Sequence, residues 1–209
     1  MGKKAFISTK ISQKTIHLNT ETSYNGYMGK NPVVPCTKEE IAAILDAASG
    51  DDFCYTLFKV AVKTGRRIGE YYDVQAKDIN WEKKTMMTKV LKRRAKIEKE
   101  AILDDELVYL LKRYITANKI KLDDYVFRKV GRRQIQNLVW KYADKAKIEH
   151  AVVFHNFRHY FVTQLMKEGW NYEKIAKLTG HSSPGTLVAY DHMVASDIAE
   201  DAREALKNL

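Results

Sequence analysis

Cysteine is scarce, with two residues in a chain of 209, and Cys36 and Cys54 fall in no CxxC or Cys/His spacing. That excludes a scaffold built on disulfides, argues against a structural zinc, and fits a reducing, cytoplasmic compartment. Long apolar runs are absent too: stretches such as Ala151-Val152-Val153-Phe154 fall far short of the roughly 20 residues a membrane-crossing helix needs. The start, Met1-Gly2-Lys3-Lys4, is basic, but Ser, Thr and Gln follow instead of the apolar stretch of a secretion signal. Internal repeats and low-complexity segments are missing. With 45% hydrophobic and 30% charged residues, the composition excludes a chain disordered throughout.

What the chain has is positive charge. Lys and Arg number 36 against 26 Asp and Glu, a formal +10, which makes a polyanion such as nucleic acid the first partner class to consider. Residues 1–35 are poor in periodic apolar positions and rich in Ser, Thr, Asn and Gly, and they read as a flexible arm or linker. Residues 36–209 read as one domain, mostly α-helical with a small antiparallel β-sheet, an α+β class.

Helix boundaries are legible in that domain. Thr37-Lys38-Glu39-Glu40 is a capping box ahead of Ile41, Ile44 and Leu45, and Gly50 closes the helix. Phe53, Leu57, Val60 and Ala61 repeat at helical spacing up to Gly65, and Ile68, Tyr71 and Tyr72 open a short helix. Between Ile79 and Leu103 the β-leaning Thr85 to Val90, the knot Lys92-Arg93-Arg94 and the run ending Ala101-Ile102-Leu103 predict two or three short strands with a charged loop. Further helical stripes run through Leu107, Leu110, Leu111 and Tyr114; Ile135, Leu138, Val139 and Tyr142; Phe157, Phe161 and Leu165, ended by Gly169; and Tyr172, Ile175 and Ala176, ended by Gly180. Ser183-Pro184 and Ser196 mark the starts of two more.

Four segments carry side chains suited to chemistry. In Thr64-Gly65-Arg66-Arg67-Ile68-Gly69-Glu70 an arginine pair stands in the turn before a new helix, where forked donors and free amides favour a phosphate. The plainer reading is an arginine complementing a helix dipole. In His155-Asn156-Phe157-Arg158-His159, His155 and Arg158 share a helix face while Phe157 turns to the core. His155 and His159 lack the glutamate of an HExxH zinc motif, so zinc is set aside and no metal is expected. Thr179-Gly180-His181 places a histidine in a helix break. Tyr190, nine residues on, is one of twelve tyrosines, and alone it would be an ordinary core residue.

Taken together, these segments resemble the catalytic domain of the tyrosine recombinases, the phage integrase family, and look like its shorter archaeal or viral members. The resemblance rests on Thr64 to Glu70 with Arg67 at the catalytic position, the His-x-x-Arg box at His155 and Arg158, Thr179-Gly180-His181, and Tyr190. Arg66 replaces the usual apolar residue and Gly69 the usual Ser. It implies a DNA-cleaving and rejoining enzyme with Tyr190 as nucleophile, forming a 3′-phosphotyrosyl intermediate. Arg67 and Arg158 would hold the phosphate, His155 would act as base, His181 would donate to the phosphate, and a hairpin lysine would protonate the leaving oxygen. Lys92 is the preferred lysine, with Lys89 and Lys96 as alternatives. No cofactor or metal is implied.

The remaining basic residues of the hairpin, with Lys83, Lys84 and Lys99, are expected to form a solvated, phosphate-contacting face. Lys89, Arg93, Arg94, Lys96, Arg66, Arg132 and Arg133 are the expected DNA contacts. The resemblance further implies double-stranded DNA as partner, a homo-oligomer, a tetramer on DNA, and a DNA-bending accessory protein. The family's N-terminal helical domain, which clamps the opposite face of DNA, has no counterpart in residues 1–35. The chain is therefore expected to be a natural short form or a catalytic fragment. Alternatives are a type IB topoisomerase-like relaxing activity and a noncatalytic DNA-binding accessory protein.

Overall fold

The computed structural model describes residues 34–92 and 95–181 together with Gly185 and Leu187; for residues 90–92 and 95–97 it describes the backbone alone. The chain divides into two units, residues 1–33 and 34–209, and the described residues belong to the second. The arm expected at residues 1–35 thus lies almost wholly outside the described residues, as do the helices expected after Ser183 and Ser196.

Local sequence signals set the helix ends. In α1 (Lys38–Ala47) the Thr37 hydroxyl accepts from the Glu40 amide and the Glu40 carboxylate accepts from the Thr37 amide, so both halves of the capping box form. Asp51 caps α2 (Asp52–Thr64) and Gly65 ends it with φ +60. The short α3 (Ile68–Tyr72) follows at once. After a 3₁₀ turn at Ala76–Asp78, β1 (Ile79–Asn80), β2 (Thr85–Lys92) and β3 (Ala95–Ile102) form an antiparallel sheet in that order, with Thr88 opposite Lys99 and Lys92 opposite Ala95. Then come α4 (Asp105–Ala117), α5 (Arg132–Lys145), α6 (His155–Lys167) and α7 (Tyr172–Thr179).

The core forms where α2 lies along α6. Phe58 is fully buried between Tyr142 of α5 and Phe157 of α6, with ring centroids 6.0 and 5.1 Å away. Burying each such side chain contributes roughly 1.5–3 kcal/mol. A second apolar group, Val162, Met166, Ile175, Ala176 and Leu187, joins α6 to α7. Phe157 and Val162 face these two groups, which fixes the rotation of α6 and leaves His155 and Arg158 their own direction. At the base of the hairpin Met86 and Ala101 are buried, so the root of the sheet is part of the core. Among the described residues no helix is long and apolar enough to cross a membrane.

One connection was not legible as structure in the sequence. Residues 119–130 carry no helix or strand period, yet they lie against the 3₁₀ turn through Ala76 N to Asp124 O (3.0 Å), Lys77 N to Leu122 O (2.9 Å) and Val126 N to Val74 O (2.9 Å). The backbone pairs there without an apolar alternation to announce it.

Gly65 is constrained twice. Its φ lies in the left-handed region, and a Cβ there would sit 2.3 Å from Cδ1 of Phe161. Gly169, with φ +77 and nothing within 4 Å of a Cβ, is constrained by backbone alone. Gly169→Ala is therefore expected to cost about 1 kcal/mol and Gly65→Ala about 1–3 kcal/mol more, from overpacking. Urea unfolding midpoints of the two variants measure this, and equal losses would show that Phe161 yields freely.

Candidate active site

The turn from α2 into α3 is held rigid by hydrogen bonds. The Tyr71 hydroxyl accepts from the Arg66 amide at 2.8 Å and pairs with Thr64 Oγ1 at 2.7 Å, and Thr64 Oγ1 in turn donates to the Val60 carbonyl. Because the Thr64 proton is committed to Val60, Tyr71 donates to Thr64. Burial holds the Tyr71 phenol well above its ordinary pKa, so it stays protonated in that role. Arg67 leaves this turn at the start of α3 with its side chain 40% exposed, Nη1 3.3 Å from Oε1 of the buried Glu70. Glu70 thus orients Arg67 from below and leaves part of the guanidinium fork open.

Arg158 is the reverse case, a guanidinium only 1% exposed. Its Nη1 donates to the carbonyls of Gly65 and Thr179, each at 2.7 Å, and its Nη2 donates to Nε2 of His181 at 2.9 Å. One side chain of α6 therefore joins the arginine turn to the Thr179-Gly180-His181 break. Gly180, the left-handed end of α7 with φ +76, brings the break in close: a Cβ there would lie 2.8 Å from Nη1 of Arg66.

The His181 tautomer follows from its partners. Nε2 accepts from Arg158, so the proton sits on Nδ1 and is donated to Thr179 Oγ1 at 2.6 Å, whose own proton goes to the Ile175 carbonyl at 2.6 Å. Donation from Nε2 to a phosphate, the role expected for this residue, would require a second proton on the ring or reversal of the Thr179 link.

Three histidines are held neutral. Burial, followed by the charges of His159, Arg158 and Arg67, pushes His155 down to about 3. Burial and Arg158 push His159 down to about 4. Burial, then Arg158 and Arg67, push His181 down to about 3. His155 and His159 stand edge to face, ring centroids 4.6 Å apart. A neutral imidazole beside two fixed cations is an acceptor, the state a proton-abstracting group needs at neutral pH.

The hairpin separates the lysines. Lys99, opposite the buried Thr88, is half-buried, and its Cδ and Nζ lie 3.1 and 3.5 Å from the position of a Gly180 Cβ. Lys99 therefore belongs to the neighbourhood of the site rather than to the fully solvated face expected for it. The missed signal was strand parity, since residue 99 is in phase with the buried Ala101. Lys89 is out of phase with Thr88 and is tied to Asp78, with Nζ 3.0 and 3.1 Å from the carboxylate oxygens. The side chains of Lys92 and Lys96 lie outside the described residues, as do Arg93, Arg94 and Tyr190 altogether.

Among the expected DNA contacts, Arg66 needs correction. It is 1% exposed, its Nη2 donates to the Glu100 carbonyl of β3, and its Nε and Nη1 are buried without a hydrogen-bond partner. A guanidinium shut away from solvent braces the hairpin against the turn and does not meet a surface phosphate. Arg132 and Arg133 are exposed at the start of α5, with Arg132 over the Tyr72 ring at 5.6 Å and its Nη1 3.4 Å from the position of a Gly69 Cβ. That places Arg132 beside α3, the helix that Arg67 begins.

An arginine turn, a His-x-x-Arg helix and a Gly-His break are thus joined through one guanidinium. Residues 36–196 match the Phage integrase family, and the chain belongs to it. A tyrosine recombinase of Pseudothermotoga lettingae is 25% identical over 158 residues, which cover 74% of this chain and 54% of the relative. Tyrosine recombinase XerA of Pyrococcus furiosus is 27% identical over 199 residues, 86% of this chain and 67% of the relative. Among solved structures, that of XerA recombinase has a TM-score of 0.72 at 24% identity, covering 88% of this chain and 69% of its own. XerH site-specific recombinase bound to palindromic difH substrate, a post-cleavage complex, has a TM-score of 0.69 at 20% identity, covering 81% of this chain and 52% of its own. These structures share the fold. The chain spans about half the length of several of the relatives it matches.

The depressed histidines carry a stability consequence. An unfolded histidine takes up its proton near pH 6.5, whereas His155, His159 and His181 stay neutral in the fold down to about 3 or 4. Unfolding therefore binds protons as the pH falls, and stability present above about pH 6.5 is lost progressively toward pH 4. Thermal unfolding from pH 7.5 to 4.5 is expected to show this fall, and His159→Gln is expected to shallow it; an unchanged slope in that variant would exclude His159 as a source. Arg66→Leu is expected to leave the unfolding midpoint unchanged or raise it, because replacing a poorly paired buried cation with an apolar side chain is neutral or favourable by about 1–4 kcal/mol. A midpoint lowered by the equivalent of more than about 2 kcal/mol would show instead that the bond to Glu100 is essential.

Proposed function

We propose that the chain cleaves and rejoins double-stranded DNA as a site-specific tyrosine recombinase, with Tyr190 as nucleophile. The observation that carries this reading is that Arg158 bonds the arginine turn to the His181 break while the charges of Arg67 and Arg158 both reach His155 and His181, in the family's order along the chain. XerH, a relative in fold, is known bound to its difH substrate before and after cleavage.

A DNA phosphodiester is attacked slowly because charge must build on a crowded phosphorus. Arg67, with an open fork, supplies charge and direction to the nonbridging oxygens, and Arg158, sealed behind it and bonded to two carbonyls and His181, adds positive charge from within the fold. His155, neutral beside these cations, accepts the Tyr190 proton as the phenolic oxygen bonds to phosphorus. The bond from phosphorus to the 5′ oxygen breaks, and a hairpin lysine protonates that oxygen. Lys92 holds this role, at the strand end opposite Ala95. The covalent 3′-phosphotyrosyl link stores the diester's energy, so a second 5′-hydroxyl reverses the steps with no other energy source. Arg132 and Arg133, exposed at the start of α5, contact DNA phosphates beside the site. Assembly of several copies on DNA pairs two cleavages into an exchange, and a tetramer is the arrangement that supplies four strand cuts.

The test is covalent capture on nicked suicide DNA. Wild-type protein is expected to give a protein–DNA adduct and Tyr190→Phe none; an adduct with Tyr190→Phe sinks the nucleophile assignment. Arg67→Lys is expected to lower the capture rate by about 10²–10³ with thermal stability unchanged, because its side chain is partly exposed. Arg158→Lys is expected to lose both capture and thermal stability, because a single ammonium cannot reach three acceptors on two segments.

A further inference from the structure

Away from this site, Cys36, Glu40 and His150 bring a thiol, a carboxylate and an imidazole together, with one donor atom of each within 4.8 Å of the others. We propose that these three residues bind a single zinc ion that clips the entry of the chain to the connection between α5 and α6.

Thiolate, imidazole and carboxylate form a ligand set that zinc accepts, with three protein groups leaving one position to water. Bond lengths of about 2.0–2.3 Å put ligand atoms of a tetrahedral ion about 3.3–3.8 Å apart. The Nε2 of His150 already stands 3.1 and 3.2 Å from the two Glu40 oxygens, so modest contraction toward Cys36 completes the set. Each ligand is held by its own neighbours. Cys36 immediately precedes the helix cap and is 5% exposed. Glu40 uses Oε2 for the capping box, accepting from the Thr37 amide at 2.9 Å, which leaves Oε1 toward His150. His150 has Nδ1 3.4 Å from the Ala151 carbonyl and presents Nε2 to the cluster.

A thiolate formed here beside the Glu40 carboxylate is balanced by a divalent ion, and metal binding displaces the thiol proton. Cys54, the other cysteine, hydrogen-bonds through its backbone to Asp51 and is no part of this group. No motif announces this group, because its ligands come from segments far apart in the chain and zinc motifs are read from close spacing.

The clip also has mechanical sense. Asn156, fully buried at the start of α6, donates to the Val34 carbonyl at 2.8 Å and accepts from the Val153 amide at 2.9 Å. Zinc at Cys36 fastens the same entry segment to His150 and closes a loop of more than a hundred residues, where a cross-link has large entropic leverage.

The experiment uses the full chain, stripped of metal by a chelator and titrated with Co²⁺ alone, then with Zn²⁺. One equivalent of Co²⁺ is expected to give a thiolate-to-metal charge-transfer band in the near ultraviolet with visible bands of tetrahedral intensity, and Zn²⁺ is expected to abolish both. Cys36→Ser is expected to lose the charge-transfer band and Cys54→Ser to keep it. His150→Gln, at a half-exposed position that leaves the core intact, is expected to weaken Co²⁺ binding at least about tenfold with an unchanged circular dichroism spectrum. The proposal is overturned by a folded wild-type protein with no such band, by a band that survives Cys36→Ser or His150→Gln undiminished, or by metal binding that depends only on His155, His159 and His181.

Discussion

Arg158 is the point on which the geometry of the candidate site depends. Its guanidinium is nearly sealed from water, yet it spans the Gly65 carbonyl at the end of α2, the Thr179 carbonyl at the end of α7 and the His181 ring beyond it. A buried cation stripped of its hydrogen bonds would destabilise the fold by several kcal/mol, so these two segments must stay where the fork can reach them. The two left-handed glycines follow from this, because Gly65 and Gly180 turn the ends of two helices inward and expose the carbonyls that Arg158 takes.

The same arrangement explains why three histidines remain uncharged. Arg158 contributes to the depression of each, with burial the larger cause, and Arg67 adds to it at His155 and His181. Two arginines this close disfavour further positive charge beside them. Neutral imidazoles can occupy such a pocket without repelling its arginines, and they keep lone pairs for proton transfer.

Much of this was legible in the residues. The Thr37–Glu40 capping box, the glycines ending α2 and α7, and the β-leaning residues Thr85 to Val90 are local signals, and each element formed where its signal placed it. The His155-x-x-Arg158 spacing predicted a shared helix face, and α6 supplies it. What was not legible depends on distance in sequence. Arg66 reads as a surface arginine in any window, and its burial comes from β3 passing over the turn. Lys99 was one basic residue among many until strand pairing set it opposite Thr88. Cys36 and His150 share no motif, and only the packing of α1 against α5 brings their segments together.

Asn156 adds a consequence of another kind. It is the second residue of α6, set between His155 and Arg158, and its amide grips the Val34 carbonyl where the chain enters the domain. The segment entering at residue 34 is therefore tied by that bond to the start of the helix that carries Arg158. Displacing the entry segment thus costs a buried hydrogen bond at the start of α6 and leaves the Asn156 amide without its acceptor.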